Sequence, residues 1–106
     1  MQYKYFYGAQ AEQFSFYRIP KALFTEPNFR ELSTDAKVLY GILLDRMSLS
    51  LKNQWLDAQN KVYIIFTVEE IMDALNCANQ KATRLMVELE KQAGLIERKR
   101  QGLGRP

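Results

Sequence analysis

Residues 67–94 read TVEEIMDALNCANQKATRLMVELEKQAG, and this stretch predicts two short helices joined by a tight turn. Thr67, with Glu70 three residues later, has the pattern of a capping box, which marks the start of a helix. The apolar positions that follow have the i, i+3, i+4 and i+7 spacing of a helix with one buried face: Val68, Ile71, Met72 and Leu75. The first helix is therefore amphipathic and short.

The second helix follows the break at Leu75-Asn76-Cys77, and the pair of helices spans 67–93. Gly94 stands where a helix commonly ends on a glycine in the left-handed conformation. The apolar positions of this helix again lie on one face: Ala82, Leu85, Met86 and Leu89. The opposite face carries Gln80, Arg84, Val87 and Lys91, with Lys81, Thr83 and Glu88 on the flanks.

A longer helix is predicted over residues 33–51. Ser33 is a favourable N-cap, and Asp35 lies in the first turn, where the helix dipole favours a carboxylate. The segment is apolar on nearly all sides, which predicts the buried centre of the domain. Before it, Pro20 opens a short helical turn (PKALF) that the stretch around Pro27 ends.

Extended segments complete the expected fold. The run KVYIIF at 61–66 is β-branched and aromatic, which predicts a strand, and Trp55 is a candidate start for its partner. After Gly94 an extended basic stretch leads to a glycine turn, so that 95–106 form a wing that the chain end truncates. Helix, turn, helix, strand and basic hairpin is the order of a winged helix-turn-helix, an α+β fold whose second helix enters the major groove of DNA.

The first nineteen residues predict an aromatic β-hairpin or arm. Aromatic residues alternate with other residues on either side of a turn at GAQAEQ. Such an arm either folds back on its own domain or packs against a second copy, and aromatic side chains are favoured at the centres of interfaces. We favour a homodimer, with these candidate dimerisation residues: Tyr3, Tyr5, Phe6, Tyr7, Phe14 and Phe16.

Composition excludes several classes of protein. The chain has 106 residues, 47% hydrophobic and 25% charged, which suits one soluble domain. No apolar run approaches the roughly 20 residues of a membrane span, and no signal peptide is evident, so we expect a cytoplasmic protein without membrane contact. A single cysteine, Cys77, and the absence of histidine exclude a disulfide, a zinc site and histidine-based catalysis. We expect no cofactor, no metal and no enzymatic activity.

Positive charge is concentrated near the C-terminal end. Residues 1–77 carry eight Lys and Arg against nine Asp and Glu, whereas residues 78–106 carry seven against three. A basic cluster is typical of a nucleic-acid-binding protein, although a solvated tail has the same composition. On the second helix, the candidate DNA-binding residues are Asn79, Gln80, Lys81, Thr83, Arg84 and Lys91. In the wing, the candidates for phosphate or minor-groove contacts are Arg98, Lys99, Arg100 and Arg105.

The chemistry of the second helix allows base readout. Glutamine can pair with adenine and arginine with guanine through two hydrogen bonds each. A stripe of Gln, Arg and Lys is also what any solvated helix face shows. Glu88 and Glu90 count against DNA binding, because they would approach phosphates unless Arg84 and Lys91 offset their charge.

The stretch FYRIPKALFTEPNFRELSTDAKVLYGILLDRMSLS at 16–50, with TVEEIMDAL and GLIERKRQGLGRP, resembles a known family. It is similar to the N-terminal domain of the plasmid replication initiators of low-GC Gram-positive bacteria, the initiators of staphylococcal multiresistance-type plasmids. The likeness covers roughly Phe14 to Pro106. It implies a winged-helix domain that dimerises and binds double-stranded DNA at direct repeats in the plasmid origin, within the initiator gene itself.

Two features depart from the family pattern. Where the family often has Ser or Thr before the recognition helix, this chain has Ala78, which leaves Asn76 or Asn79 as a substitute cap. The chain also stops at Pro106, where the family continues into the second wing strand. We therefore expect a domain of a longer initiator, with contacts to host replication proteins made by its C-terminal part.

Two other functions share these features. A winged-helix transcription regulator would have the same fold and basic wing but would bind promoter DNA. A protein-interaction module with this fold would not bind DNA at all, and substitution of Arg84 or Arg98 would then leave any DNA affinity unchanged.

Overall fold

The computed structural model describes residues 15–52 and 63–98. These residues form a compact helical domain. In chain order its elements are α1 (Ala22–Thr25), a 3₁₀ turn (Pro27–Phe29), α2 (Thr34–Lys52), α3 (Val68–Leu75), α4 (Asn79–Val87) and a π-helical turn (Glu88–Gln92) that continues α4.

The long helix α2 begins where its sequence predicts. The Ala36 N–H donates to Ser33 Oγ at 3.2 Å, which confirms Ser33 as the N-cap, and Asp35 lies in the first turn. Leu39 is fully buried, so the helix lies at the centre of the core. Gly41 allows the segment before α1 to cross α2 closely, because a Cβ there would lie 2.9 Å from Ile19 Cγ1.

The first helix of the predicted pair, α3, has the capping box that its sequence indicates. The Glu70 N–H donates to Thr67 Oγ1 at 3.1 Å, and the Glu70 side chain accepts from the Thr67 N–H. The helix ends at Asn76, which has a φ of 52° in the left-handed region. A three-residue turn then leads into α4, so the predicted helix, turn and helix are all present.

The core is formed where α2, α3 and α4 meet. Each of the three helices contributes one large, fully buried residue: Leu39 from α2, Ile71 from α3 and Leu85 from α4. Leu89 of the π-helical turn is also fully buried. The face of α4 and the turn after it predicted to point inward is confirmed, since its four apolar residues are all buried: Ala82, Leu85, Met86 and Leu89.

The β part of the expected fold is not confirmed. Within 15–52 and 63–98 no strand is formed. Residues 63–66, from the predicted strand, alternate between exposed and half-buried side chains, as an extended segment does when one side rests on a core, but they pair with no described strand. Most of the wing, Trp55 and arm residues 1–14 lie outside the described residues.

No helix in the described part of the chain combines the length and the apolarity needed to cross a lipid bilayer.

Candidate nucleic-acid interface

Helix α4 presents a polar face to solvent opposite its buried one. Five predicted DNA-contacting side chains on α4 and the turn after it are exposed: Asn79, Gln80, Thr83, Arg84 and Lys91. Val87, assigned to the same face from its helical position, is only half-buried. The exposed face therefore offers amide, hydroxyl and guanidinium groups, which are the groups that hydrogen-bond to base edges and phosphates.

The start of α4 lacks the side-chain cap that was expected. Ala78 is the N-cap residue, in extended conformation, and no side chain caps the helix there. The prediction that Asn76 or Asn79 substitutes for it was wrong, because Asn76 is used to end α3 in the left-handed region. Asn79 Oδ1 instead accepts a hydrogen bond from Thr83 Oγ1 at 3.5 Å. In the part of the chain that the structure describes, the first N–H groups of α4 thus have no side-chain acceptor, an arrangement that favours an approaching anion.

Lys81 forms an ion pair with α2. Its Nζ lies 2.7 Å from Asp35 Oδ2, and the two side chains are 42% and 51% exposed. Lys81 was predicted as a DNA contact, and the structure shows that its ammonium group already has a carboxylate partner. The first turn of α4 is therefore joined electrostatically to the first turn of α2.

Glu88 does not occupy the position predicted for it. It was placed on the flank of the recognition face, but it is buried, with 7% of its surface exposed. The Ser33 N–H donates to Glu88 Oε1 at 2.8 Å, and Ser33 Oγ donates to Oε2 at 2.9 Å. The carboxylate satisfies these donors at the start of α2, so its charge is removed from the surface that DNA would approach.

The end of the helix is a single π turn. The Ala93 N–H donates to the Glu88 carbonyl at 3.0 Å, a spacing of five residues, and the Leu95 N–H donates to the Leu89 carbonyl at 2.9 Å. Gly94 has a φ of 66°, which confirms the predicted glycine terminus. The chain then leaves the helix towards the basic segment.

The second carboxylate that counted against DNA binding is also neutralised. Arg98 donates to Glu90 Oε1 from Nε at 3.0 Å and from Nη2 at 2.8 Å. This hydrogen bonding to the Arg98 side chain, assisted by its charge, lowers the pKa of the Glu90 carboxyl below its usual value. Arg98 was predicted as a phosphate contact, and in this structure it bridges the helix end to the basic segment. Lys99, Arg100 and Arg105 lie outside the described residues.

A concave region between α2 and α3 is lined by more acidic than basic side chains, in contrast to the exposed face of α4. Its cavity of about 410 Å³ is lined by Tyr17, Ile42, Asp45, Arg46, Phe66, Glu70, Asp73 and Ala74. Arg46 donates to Glu70 and lies over the Phe66 ring, 5.0 Å from its centroid. Three carboxylates against one guanidinium repel phosphates, so this region is unsuited to nucleic acid.

One predicted dimerisation residue lies within the described part of the chain. Phe16 is 64% exposed, ahead of α1. The other five, Tyr3, Tyr5, Phe6, Tyr7 and Phe14, lie outside the described residues. No group of three or more metal-ligating side chains is found among residues 15–52 and 63–98.

Two solved structures that are similar to this chain have descriptions that name DNA. A structure described as "N-Terminal domain of DNA binding protein" superposes with a TM-score of 0.77 at 40% sequence identity, over 99% of this chain and 79% of that one. A structure described as "Structure of Rep-DNA complex" gives a TM-score of 0.76 at 40% identity, over 97% of this chain and 78% of that one.

Sequence comparison gives the same relationship. A "41 kDa protein" of Lactobacillus helveticus is 32% identical over 87 residues, which are 82% of this chain and 24% of that protein. The chain thus spans about a quarter of the length of this curated relative. The family described as "Replication initiator protein A (RepA) N-terminus" matches residues 15–106. The chain therefore belongs to the replication initiator protein A N-terminal family.

Proposed function

We propose that this chain is a DNA-binding domain that recognises double-stranded repeats at a plasmid origin and thereby initiates plasmid replication. The observation that carries the proposal is the division of α4 into one fully buried face and one exposed face of Gln80, Thr83 and Arg84. Glu88 and Glu90, the acids nearest to this face on the same helix, are bonded to Ser33 and Arg98. Family membership supports the same function.

In this proposal α4 is the recognition helix. The first residues of such a helix reach deepest into the major groove, which favours Asn79 and Gln80 for contacts to base edges. Arg84, one turn further along and exposed, is suited to two hydrogen bonds with guanine. The Thr83 methyl group can contact the methyl group of thymine.

The basic side chains after α4 supply affinity rather than sequence information. Lys91 is exposed on the π turn and Arg98 is on the segment that leaves it. With Lys99, Arg100 and Arg105 they form a basic stretch that we assign to phosphates or to the minor groove. The finer architecture that we propose is a winged helix-turn-helix, in which 95–106 form the wing.

We further propose a homodimer formed through the aromatic N-terminal arm, so that two recognition helices reach repeated sites. Sedimentation of the protein with and without residues 1–13 tests this proposal. Loss of the dimer on deletion is the expected result, and a dimer that persists would place the interface elsewhere. Contacts to host replication proteins are assigned to other parts of the longer protein, and this domain acts in the cytoplasm by binding alone, without an enzymatic step.

The experiment that tests the DNA-binding proposal is fluorescence anisotropy on duplexes tiled across the protein's own gene, with scrambled duplex as competitor and at several salt concentrations. Tight binding confined to a tile that bears repeats is the expected result. Tight binding to promoter DNA alone would instead favour a transcription regulator. Equally weak binding to every tile that vanishes with added salt would contradict the proposal.

A further inference from the structure

The ion pair between Asp35 and Lys81 places a carboxylate beside the start of the recognition helix. Lys81 is the third residue of α4, within the turn that enters the major groove first in proteins of this architecture. Its Nζ lies 2.7 Å from Asp35 Oδ2, and both side chains remain about half exposed. A half-exposed ion pair contributes little to stability, because solvent screens it, so stability alone gives a weak reason for this arrangement.

The surroundings of the pair point to an effect on phosphate binding. No described side chain caps α4, so the start of the helix attracts anions, and Lys81 is the basic residue of its first turn. Without Asp35 the ammonium group and the uncapped helix start would together form a strong contact for any DNA phosphate. With Asp35 present, Lys81 is neutralised and the carboxylate repels the backbone.

We infer that Asp35 is a specificity-determining residue: by holding Lys81 it prevents the first turn of α4 from binding phosphates, and so weakens binding to DNA of arbitrary sequence more than binding to the target. The inference rests on the proposed function. Binding to arbitrary sequence depends on the number of phosphates contacted, whereas target binding adds contacts to bases. In the target complex, contacts to bases fix the position of α4, and Lys81 stays paired with Asp35. The phosphate contact that Lys81 does not make therefore changes the affinity for the target less than the affinity for other DNA.

The test compares Asp35→Asn with wild type on two duplexes, the tile of the protein's own gene that binds most tightly and a scrambled duplex of equal length. Asp35→Asn keeps the shape of the side chain and releases Lys81. We expect affinity for the scrambled duplex to rise roughly 3- to 10-fold, with a salt slope steeper by about 0.9, the value for one added phosphate contact. Affinity for the target tile should rise by less than about 2-fold, so that discrimination falls.

Asp45→Asn is the matched control. It removes the same charge from the same helix, but Asp45 lines the cavity between α2 and α3, and none of the ion pairs found among the described residues joins it to α4. We expect it to change the affinity for both duplexes by the same small factor. Thermal melting of each variant verifies that the domain remains folded.

Lys81→Met shows whether Asp35 acts through Lys81. In that background Asp35→Asn should change both affinities by one common factor, because no ammonium group is left to release. The inference would be overturned if Asp35→Asn alone changed the affinity for both duplexes by the same factor. It would also be overturned if Asp35→Asn still changed the two affinities by different factors in the Lys81→Met protein. If wild-type protein prefers no tile over scrambled DNA, the proposed function itself fails; if it prefers one and Asp35→Asn preserves that preference, the inference alone fails.

Discussion

Glu88 and Ser33, 55 positions apart in the chain, are joined by two hydrogen bonds between the π turn that continues α4 and the start of α2. Ser33 also caps α2 through its Oγ, which accepts from the Ala36 N–H. A single serine therefore fixes the beginning of one helix and the end of another. With the Lys81–Asp35 ion pair, two polar contacts seven residues apart join the start of α2 to α4 and to the π turn that continues it.

Replacement of Glu88 tests this connection. Glu88→Ala leaves the Ser33 N–H and Oγ without their acceptor in a partly buried place, so we expect the free energy of unfolding to fall by about 2 kcal/mol. Glu88→Gln keeps a carbonyl acceptor and should lose less. Urea denaturation measures both. The control is Glu97→Ala, which removes an exposed glutamate and should change little, and equal stability of Glu88→Ala and Glu97→Ala would contradict the account.

Gly41 is expected to resist substitution for lack of space. A Cβ at this position would lie 2.9 Å from Ile19 Cγ1 and 3.1 Å from the Arg18 carbonyl oxygen, which belongs to the backbone. The resulting shift costs about 1 to 3 kcal/mol, which exceeds the gain in helix propensity from alanine. We therefore expect Gly41→Ala to lower the midpoint of urea denaturation.

Gly94→Ala provides the contrast. Among the described residues, apart from the neighbours of Gly94 in the chain, no atom lies within 4 Å of a Cβ there, but the φ of 66° disfavours any residue with a side chain. Gly94→Asn should restore part of the loss, because asparagine tolerates the left-handed region, whereas Gly41→Asn should not.

A Gly41→Ala protein more stable than wild type would show that the segment before α1 does not pack on α2.

The Glu90 carboxyl should titrate below its ordinary value because of Arg98. In Arg98→Met its pKa should rise, and in Lys91→Met it should rise less, since the Arg98 hydrogen bond is the larger cause. Because the pKa is lowered in the folded protein, the Glu90–Arg98 pair stabilises the fold at pH values above the ordinary pKa of a glutamate. That stabilisation is lost as the pH falls through the lower, folded-state pKa. NMR titration of the Glu90 side chain measures both shifts, and an unchanged pKa in Arg98→Met would contradict the pairing.

Local patterns predict the helices well. The capping box at Thr67, the N-cap at Ser33 and the helix end at Gly94 each depend on residues within one turn, so the sequence contains all the information needed. The buried face of α4 also follows from helical spacing alone. Family resemblance adds the expectation of a dimer that binds direct repeats in a plasmid origin.

The features that sequence analysis missed depend on contacts between distant residues. The burial of Glu88 goes with its hydrogen bonds to a serine 55 positions away, which helical spacing cannot indicate. Lys81 and Arg98 were predicted as DNA contacts, and helical spacing does not reveal their carboxylate partners, which lie 46 and 8 positions away, the first on another helix. Asn76 was assigned to the start of α4 because both roles lie in the same turn, and the left-handed conformation decides between them.

The measurement that tests the central claim most directly is the binding of Arg84→Ala to the preferred tile and to scrambled DNA. If the exposed face of α4 reads bases, the preference for the target should fall by about 1 to 3 kcal/mol, with little change on scrambled DNA. Lys91 is also exposed on this side, and Lys91→Ala should weaken binding to both duplexes alike and make the salt dependence of binding shallower. Equal losses on the two duplexes for Arg84→Ala would contradict base readout by this face.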